Sequence, residues 1–338
     1  MTRPLTLAVV GATGEAGRAL LDALEASSLE ADEVRLLGSA RSAGGAVEVL
    51  GEERKVAPLA DGAFRGCDAA VFCAPAEVAR AWAPRAWAAG CPAVDVSAAF
   101  RDDPEVPLCV PEVNPGVLEG FRSRGIVSCP APPATALALL AAPLREAGLG
   151  RVVATVLAAA SGAGRAGVVE LEQQARDLLA LREPEPAATF PHRLAFNAVP
   201  QAGALGEGGE SGEESGLARE LRRVLGLPGL PVGATVVRVP VFYGDLLTVH
   251  LRLERPLDAA AARELLRTAP GVKLVDDPAR GVYPMPMLAS QEDAVLVGRI
   301  RASPSGGIDL VASLEAARRG AATTALEIVR RITGRASA

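Results

Sequence analysis

Apolar positions fall into short unbroken runs in roughly the first third of the chain and into longer, partly alternating runs after it. LTLAVVG (5–11), EVRLLGSA (33–40), DAAVFCAP (68–75) and PAVDVSAAF (92–100) are the early runs. Such runs suit strands buried on both faces of a parallel sheet. Between them, RALLDALEASS sets Leu20, Leu21 and Leu24 at helical spacing, and EVARAWAPRAWAAG reads as a second helix. This rhythm predicts a doubly wound, Rossmann-like first half over residues 1–127. RVVATVLAAAS (151–161), GATVVRVPVFYG (233–244) and LLTVHLRLERPL (246–257) predict long strands of an α+β domain over 128–314. In the last of them Thr248, His250, Arg252 and Glu254 point one way and Leu247, Val249, Leu251 and Leu253 the other, so one face should pack. LGEGGESGEESG (205–216) reads as a flexible acidic loop. LEAARRGAATTALEIVRRITG reads as one amphipathic helix, within 315–338, returning to the first domain.

A length of 338 residues favours two domains and is long enough for a core without staples. The net charge of −5 argues against a broad nucleic-acid or anionic-membrane surface. Five cysteines at 67, 73, 91, 109 and 129, with two histidines, lack zinc-site spacing, so no metal is expected. Disulfides are not expected either, since these cysteines lie in apolar or turn contexts. MTRPLTLAVVGATG enters a strand directly and no apolar run reaches membrane-spanning length, so a cytoplasmic protein is expected.

VVGATGEAG (9–17) carries the first chemistry. Gly11 allows a tight turn, Gly14 lets a phosphate approach the backbone, and the amides of the following helix face the anion. Gly11, Thr13, Gly14, Glu15 and Ala16 form the candidate cofactor loop, against the alternative of a packing turn. After the second strand no acidic residue awaits a ribose hydroxyl. Ser39, Arg41 and Ser42 stand there instead and suit a 2′-phosphate, which favours NADP over NAD, unless Arg41 is only a solvated loop charge.

GATGEAG, LLGSARSAGG, SAAFRDDPEVPLCVPEVNP, SGAGRAG, AFNAVPQ, VVRVPVFYGD, YPMP and RRGAATTALEI follow one another as in the aspartate-β-semialdehyde dehydrogenase family, which the chain resembles over nearly its whole length. The resemblance implies a dinucleotide-binding domain, a substrate and dimerisation domain, and a homodimer. It also implies the interconversion of aspartyl phosphate and aspartate semialdehyde with NADP, through attack of a cysteine thiolate on the aldehyde. Arg238 would hold the substrate carboxylate and Arg101 the phosphate, while Ser161 and Gly162, with Gly164, would line the nicotinamide. Ala74 lies in Cys73-Ala74-Pro75-Ala76, where the family has S-A-G-G, and Thr324 replaces an expected Asn.

The catalytic positions depart from the family's pattern. Its N-P-N-C turn, laid on IVSCPAPPATAL, puts Pro132 at the nucleophile. The residue supporting the thiol becomes Ala158, the base becomes Asp245, and the E-x-x-K pair becomes Glu213 and Gly216. Proline carries neither a nucleophile nor an N–H, although it suits the first position of a helix. In an acyl-transfer protease, loss of the nucleophile alone removes roughly six orders of magnitude in kcat. The expectation is a non-catalytic homologue that binds NADP and a small-molecule ligand, as a homodimer or as a heterodimer with an active relative. The alternative is an active NADP-dependent dehydrogenase that uses Cys129, three residues upstream and at most about 10 Å away along the chain. A reductase needing no covalent step is a third possibility. Neither His192 nor His250 matches a catalytic position.

Overall fold

The computed structural model describes residues 5–290 and 292–335. The chain divides into two compact units, one of residues 1–131 with the C-terminal segment from Gly320, the other of Pro132–Arg319.

The first unit holds β1 (Thr6–Val10), α1 (Glu15–Ala26), β2 (Glu33–Gly38), β3 (Ala46–Val49), β4 (Glu52–Lys55), β5 (Ala57–Pro58), β6 (Ala69–Phe72), α2 (Ala76–Ala88), β7 (Ala93–Asp95) and β8 (Ile126–Ser128). Six strands form a sheet in the order β5-β2-β1-β6-β7-β8, with every pair parallel. The apolar runs are unbroken because both faces are covered. Leu7 and Val9 pack with Leu20, Leu21 and Leu24 of α1 and with Leu326 and Val329 of the C-terminal helix Thr323–Ile332. Ala8 and Val10 turn to the other face, against Ala79, Ala83 and Ala86 of α2. The Rossmann-like reading holds. β3 and β4 form a separate antiparallel hairpin that the apolar pattern did not announce.

The second unit holds α3 (Pro132–Ala141), β9 (Leu149–Ala158), α4 (Gly164–Leu179), α5 (Gly212–Leu225), β10 (Val232–Arg238), β11 (Asp245–Leu253), α6 (Ala259–Arg267), β12 (Val272–Leu274), α7 (Pro286–Ala289), β13 (Val295–Ala302) and β14 (Ile308–Leu314). Its mixed sheet runs β10-β9-β11-β14-β13-β12, parallel at the two outer pairs and antiparallel between. On β11, Leu247, Val249 and Leu251 are buried while Thr248 and Arg252 are exposed, as the alternation requires.

Three local expectations are corrected. PAVDVSAAF is a strand only over Ala93–Asp95: the Asp95 carboxylate accepts the Ser97 N–H at 3.0 Å and the Ser97 hydroxyl accepts the Ala99 N–H at 3.1 Å, which curls the chain out of the sheet. The acidic segment is not a loop throughout. Ser211 and Glu214 form a capping box, each side chain accepting the other's backbone N–H, and α5 starts at Gly212. That arrangement satisfies two amides that would otherwise lack partners at a helix start. The last segment is not one helix: β14 runs to Leu314, a π-helical turn covers Arg318–Ala322, and the α-helix spans Thr323–Ile332.

Candidate functional site

In the first unit, Gly11 stands at φ +85 and a Cβ on it would lie 2.3 Å from the Cys73 carbonyl oxygen. Only glycine tolerates both conditions. The close approach brings the loop after β1 against Cys73 and Ala74 after β6. Gly17 meets the same loop from inside α1, where a Cβ would lie 2.3 Å from the Gly11 carbonyl oxygen. Gly14 is the N-cap of α1 and brings no capping side chain, so Thr13, Glu15 and Ala16 flank first-turn amides that can accept an anion. Beyond β2, the Ser42 N–H and hydroxyl both donate to the Ser39 carbonyl, and Ser39 and Arg41 are exposed. These residues fit a dinucleotide whose ribose carries a second phosphate.

Arg101 is tied down within the same unit. Its Nε donates to the Cys129 carbonyl at 3.1 Å and its Nη2 to the Val96 carbonyl at 2.9 Å. Cys129 is thereby fixed from both sides, because its own N–H donates to the Asp95 carbonyl at 2.8 Å. Its side chain is 0 % exposed within the core. Burial, and then the neighbouring Cys109 and Asp95, push its thiol well above the ordinary range, so the thiolate a nucleophile needs is disfavoured. Burial likewise pushes Cys73 up to about 12.

In the second unit, Ala158 ends β9, Arg238 ends β10 and Asp245 begins β11. Parallel pairing sets Ala158 beside Arg238, and antiparallel pairing sets Leu157 beside Leu246, so all three reach one edge of the sheet. Arg238 is buried. Its Nη2 donates to Glu213 Oε1 at 2.8 Å and its Nη1 to the Ala159 carbonyl at 3.2 Å. Glu213 sits in the first turn of α5, where the helix dipole favours a carboxylate. Gly162 lies against the guanidinium, and a Cβ there would fall 2.4 Å from Nη1. Asp245 Oδ1 accepts the Ala159 N–H at 2.8 Å. Burial raises the Asp245 carboxyl to about 6, opposed by the Ala159 N–H and by Arg238. The Ser161 hydroxyl is buried and has no hydrogen-bond partner among the described residues.

The backbone of one residue, Ala159, thus serves both Asp245 and Arg238, its N–H donating to Asp245 and its carbonyl accepting from Arg238. Sequence reasoning missed it, and no side-chain signal could have found it. Gly216 and Thr324 are buried in their helices, while His250 pairs with Asp309 at 2.7 Å on β14. His192 lies on an exposed loop. All five cysteines are free thiols, and no cluster that could hold a metal occurs among the described residues.

One unit is Rossmann-like and carries a glycine loop of the kind that binds dinucleotides; the other is a mixed-sheet unit that buries an arginine beside a carboxylate. Residues 6–121 match the family model of the semialdehyde dehydrogenase NAD binding domain, and residues 141–315 match that of the semialdehyde dehydrogenase dimerisation domain. Aspartate-semialdehyde dehydrogenase of Aquifex aeolicus is 37% identical over 95% of this chain and 96% of its own. The Synechocystis protein of the same name is 36% identical over 97% of both chains. Among solved structures, aspartate semialdehyde dehydrogenase II of Vibrio cholerae, complexed with ASA, superposes with a TM-score of 0.94 at 33% identity, covering 98% of this chain and 99% of its own. The chain belongs to the semialdehyde dehydrogenase family.

Proposed function

We propose that this protein binds NADP and a small carboxylate ligand as a homodimer but does not perform the family's covalent acyl transfer. The observation that carries this reading is the start of α3. Pro132 and Pro133 are its first two residues, and the nearest thiol upstream, Cys129, is buried, backbone-locked and held protonated. Gly11, Thr13, Gly14, Glu15, Ala16 and Ala74 would hold the pyrophosphate and nicotinamide side of NADP, with Ser39, Arg41 and Ser42 on the 2′-phosphate. Ser161 offers a hydroxyl free to turn to a ligand. Bound NADP supplies a hydride acceptor; what this chain lacks is a group to attack the aldehyde. Arg238 would grip a carboxylate, and Glu213 fixes the guanidinium in place. Arg101, which donates to two backbone carbonyls, is the candidate to meet a phosphate. The two units would correspond to a cofactor domain of 1–127 with the C-terminal helix and a ligand and dimerisation domain of 128–314.

The second reading, an active phosphorylating dehydrogenase using Cys129, is favoured by the relatives bearing that name along almost the entire chain. Sequence likeness alone supports it better than the first. One assay separates the two: NADPH formation by the purified protein with aspartate semialdehyde, phosphate and NADP⁺, alongside NADPH binding followed by fluorescence. Binding without turnover supports a ligand-binding homologue. Turnover within about a hundredfold of an ordinary enzyme rate of about 10 s⁻¹ sinks it, and its loss in Cys129→Ser would then name the nucleophile.

A further inference from the structure

Two thiols lie outside the site, at the opposite end of the parallel sheet. Gly66-Cys67 leads into β6 and Gly90-Cys91 into β7, each glycine at positive φ, +76 and +82. β6 and β7 are parallel neighbours, so both strands enter from the same end of the sheet, away from the cofactor loop at the strands' C-terminal ends. Carried back from Ala70↔Ala93, the register sets Cys91 beside Asp68, one residue from Cys67. Strands about 4.8 Å apart with a one-residue offset of about 3.3 Å separate the two Cα atoms by roughly 6 Å. That is close to the commonest Cα span of a disulfide. Both side chains lie in one apolar cluster with Ala70, Phe72 and Ala93, close enough for each thiol to perturb the other's titration, and Arg35 of β2, which donates to the Arg65 carbonyl, perturbs that of Cys67. Polar contacts of the two sulfurs are long, 3.9 Å from Cys67 to the Ala63 carbonyl and 3.7 Å from Cys91 to the Pro92 carbonyl.

We propose that Cys67 and Cys91 form a dithiol that a hydroperoxide oxidises to an intramolecular disulfide, with Cys67 as the attacking and Cys91 as the resolving sulfur. The asymmetry has a physical cause. The neighbouring Cys91 thiol and the Arg35 charge both favour the Cys67 thiolate, lowering it from the ordinary range, whereas the neighbouring Cys67 and burial raise Cys91. In the first step the Cys67 thiolate attacks one peroxide oxygen. An S–O bond forms, the O–O bond breaks, and the departing oxygen leaves as water (or an alcohol) after taking a proton. In the second step the Cys91 sulfur attacks the Cys67 sulfenyl sulfur. The S–S bond forms, the S–O bond breaks, and a second water carries away the remaining proton. Two electrons pass from the sulfurs to the peroxide. Nothing in this chemistry requires dehydrogenase activity.

The test treats the native full-length protein with hydrogen peroxide, quenches with an alkylating agent and maps peptides without reduction. The expected product is a Cys67–Cys91 cross-linked peptide, formed at least tenfold faster than any change at Cys109 or Cys129. Cys91→Ser should leave Cys67 as a sulfenic acid that dimedone traps, and Cys67→Ser should leave Cys91 unmodified. Arg35→Gln should slow the reaction several-fold with the same product. A different cysteine pair in the mapped disulfide would overturn the proposal. So would a cross-link that appears only in the urea-unfolded chain, or equal oxidation of all five thiols.

Discussion

Two strand–turn–helix junctions in this chain have the same form and opposite chemical capacity. VVGATGEAG leaves a buried strand and opens α1 with glycines; VSCPAPPATAL leaves another and opens α3 with prolines. At α1 the missing Cβ atoms let the backbone close up and leave the first amides for an anion. At α3 the first two helical positions are Pro132 and Pro133, which have no N–H to give. A helix N-terminus stabilises negative charge mainly through those amides and the dipole behind them. The second junction therefore has no amide to offer at its first two helical positions, and on the proposed reading it also lacks the family's nucleophile.

The contrast can be broken most forcefully at Gly11. Gly11→Ala would set a Cβ 2.3 Å from the Cys73 carbonyl at a strained φ, costing about 3 kcal/mol or more and abolishing dinucleotide binding. Thermal unfolding and an NADPH titration check both effects, and an unchanged affinity would show that the loop does not bind phosphate. Asp245 should respond in the opposite direction. Its folded carboxyl lies at about 6 against an ordinary 3.8, so the folded state binds the proton more tightly than the unfolded one. Stability from this group is full below about pH 4 and falls as pH rises to about 6. At pH 7 the deficit is about 3 kcal/mol. Asp245→Asn keeps an acceptor for the Ala159 N–H and should be the more stable protein above pH 6, with a flatter profile between pH 4 and 6 in chemical denaturation.

Smaller effects sharpen the same comparison. Arg41→Ala should weaken NADPH by about tenfold to a hundredfold, the worth of one or two charge-assisted hydrogen bonds, and leave NADH unchanged. Equal loss for both cofactors would remove Arg41 from the 2′-phosphate. Pro132→Cys should have the least effect of all: stability within about 1 kcal/mol, a thiol open to iodoacetamide, and still no turnover, because the base position remains Asp245. Turnover appearing in that variant would mean that the rest of the site is catalytically complete.

Much of the first unit could be read directly from the chain. Unbroken runs such as LTLAVVG become strands covered on both faces, and a glycine at position 11 is needed for reasons local to its own φ and its nearest neighbours. The capping box at Ser211 and Glu214 was also written in the sequence, as Ser followed three residues later by Glu, but the surrounding glycines masked it. By contrast, the apolar run hid the end of β7, although Asp95 and Ser97, short polar side chains that bond the backbone two residues on, were its local sign.

By itself, then, the sequence determined the buried parallel strands of the first unit, the glycine loop between β1 and α1 and the family, because these depend on spacing and on what each residue's own backbone allows. Only the tertiary structure decided the charge states and partnerships. Arg238 is clamped by Glu213 and the Ala159 carbonyl, Asp245 is raised by burial, Cys129 is sealed in the core, and Cys67 meets Cys91 across two parallel strands. Each of these is set by desolvation and by register between residues far apart in the chain, and neither quantity exists until the sheets have closed.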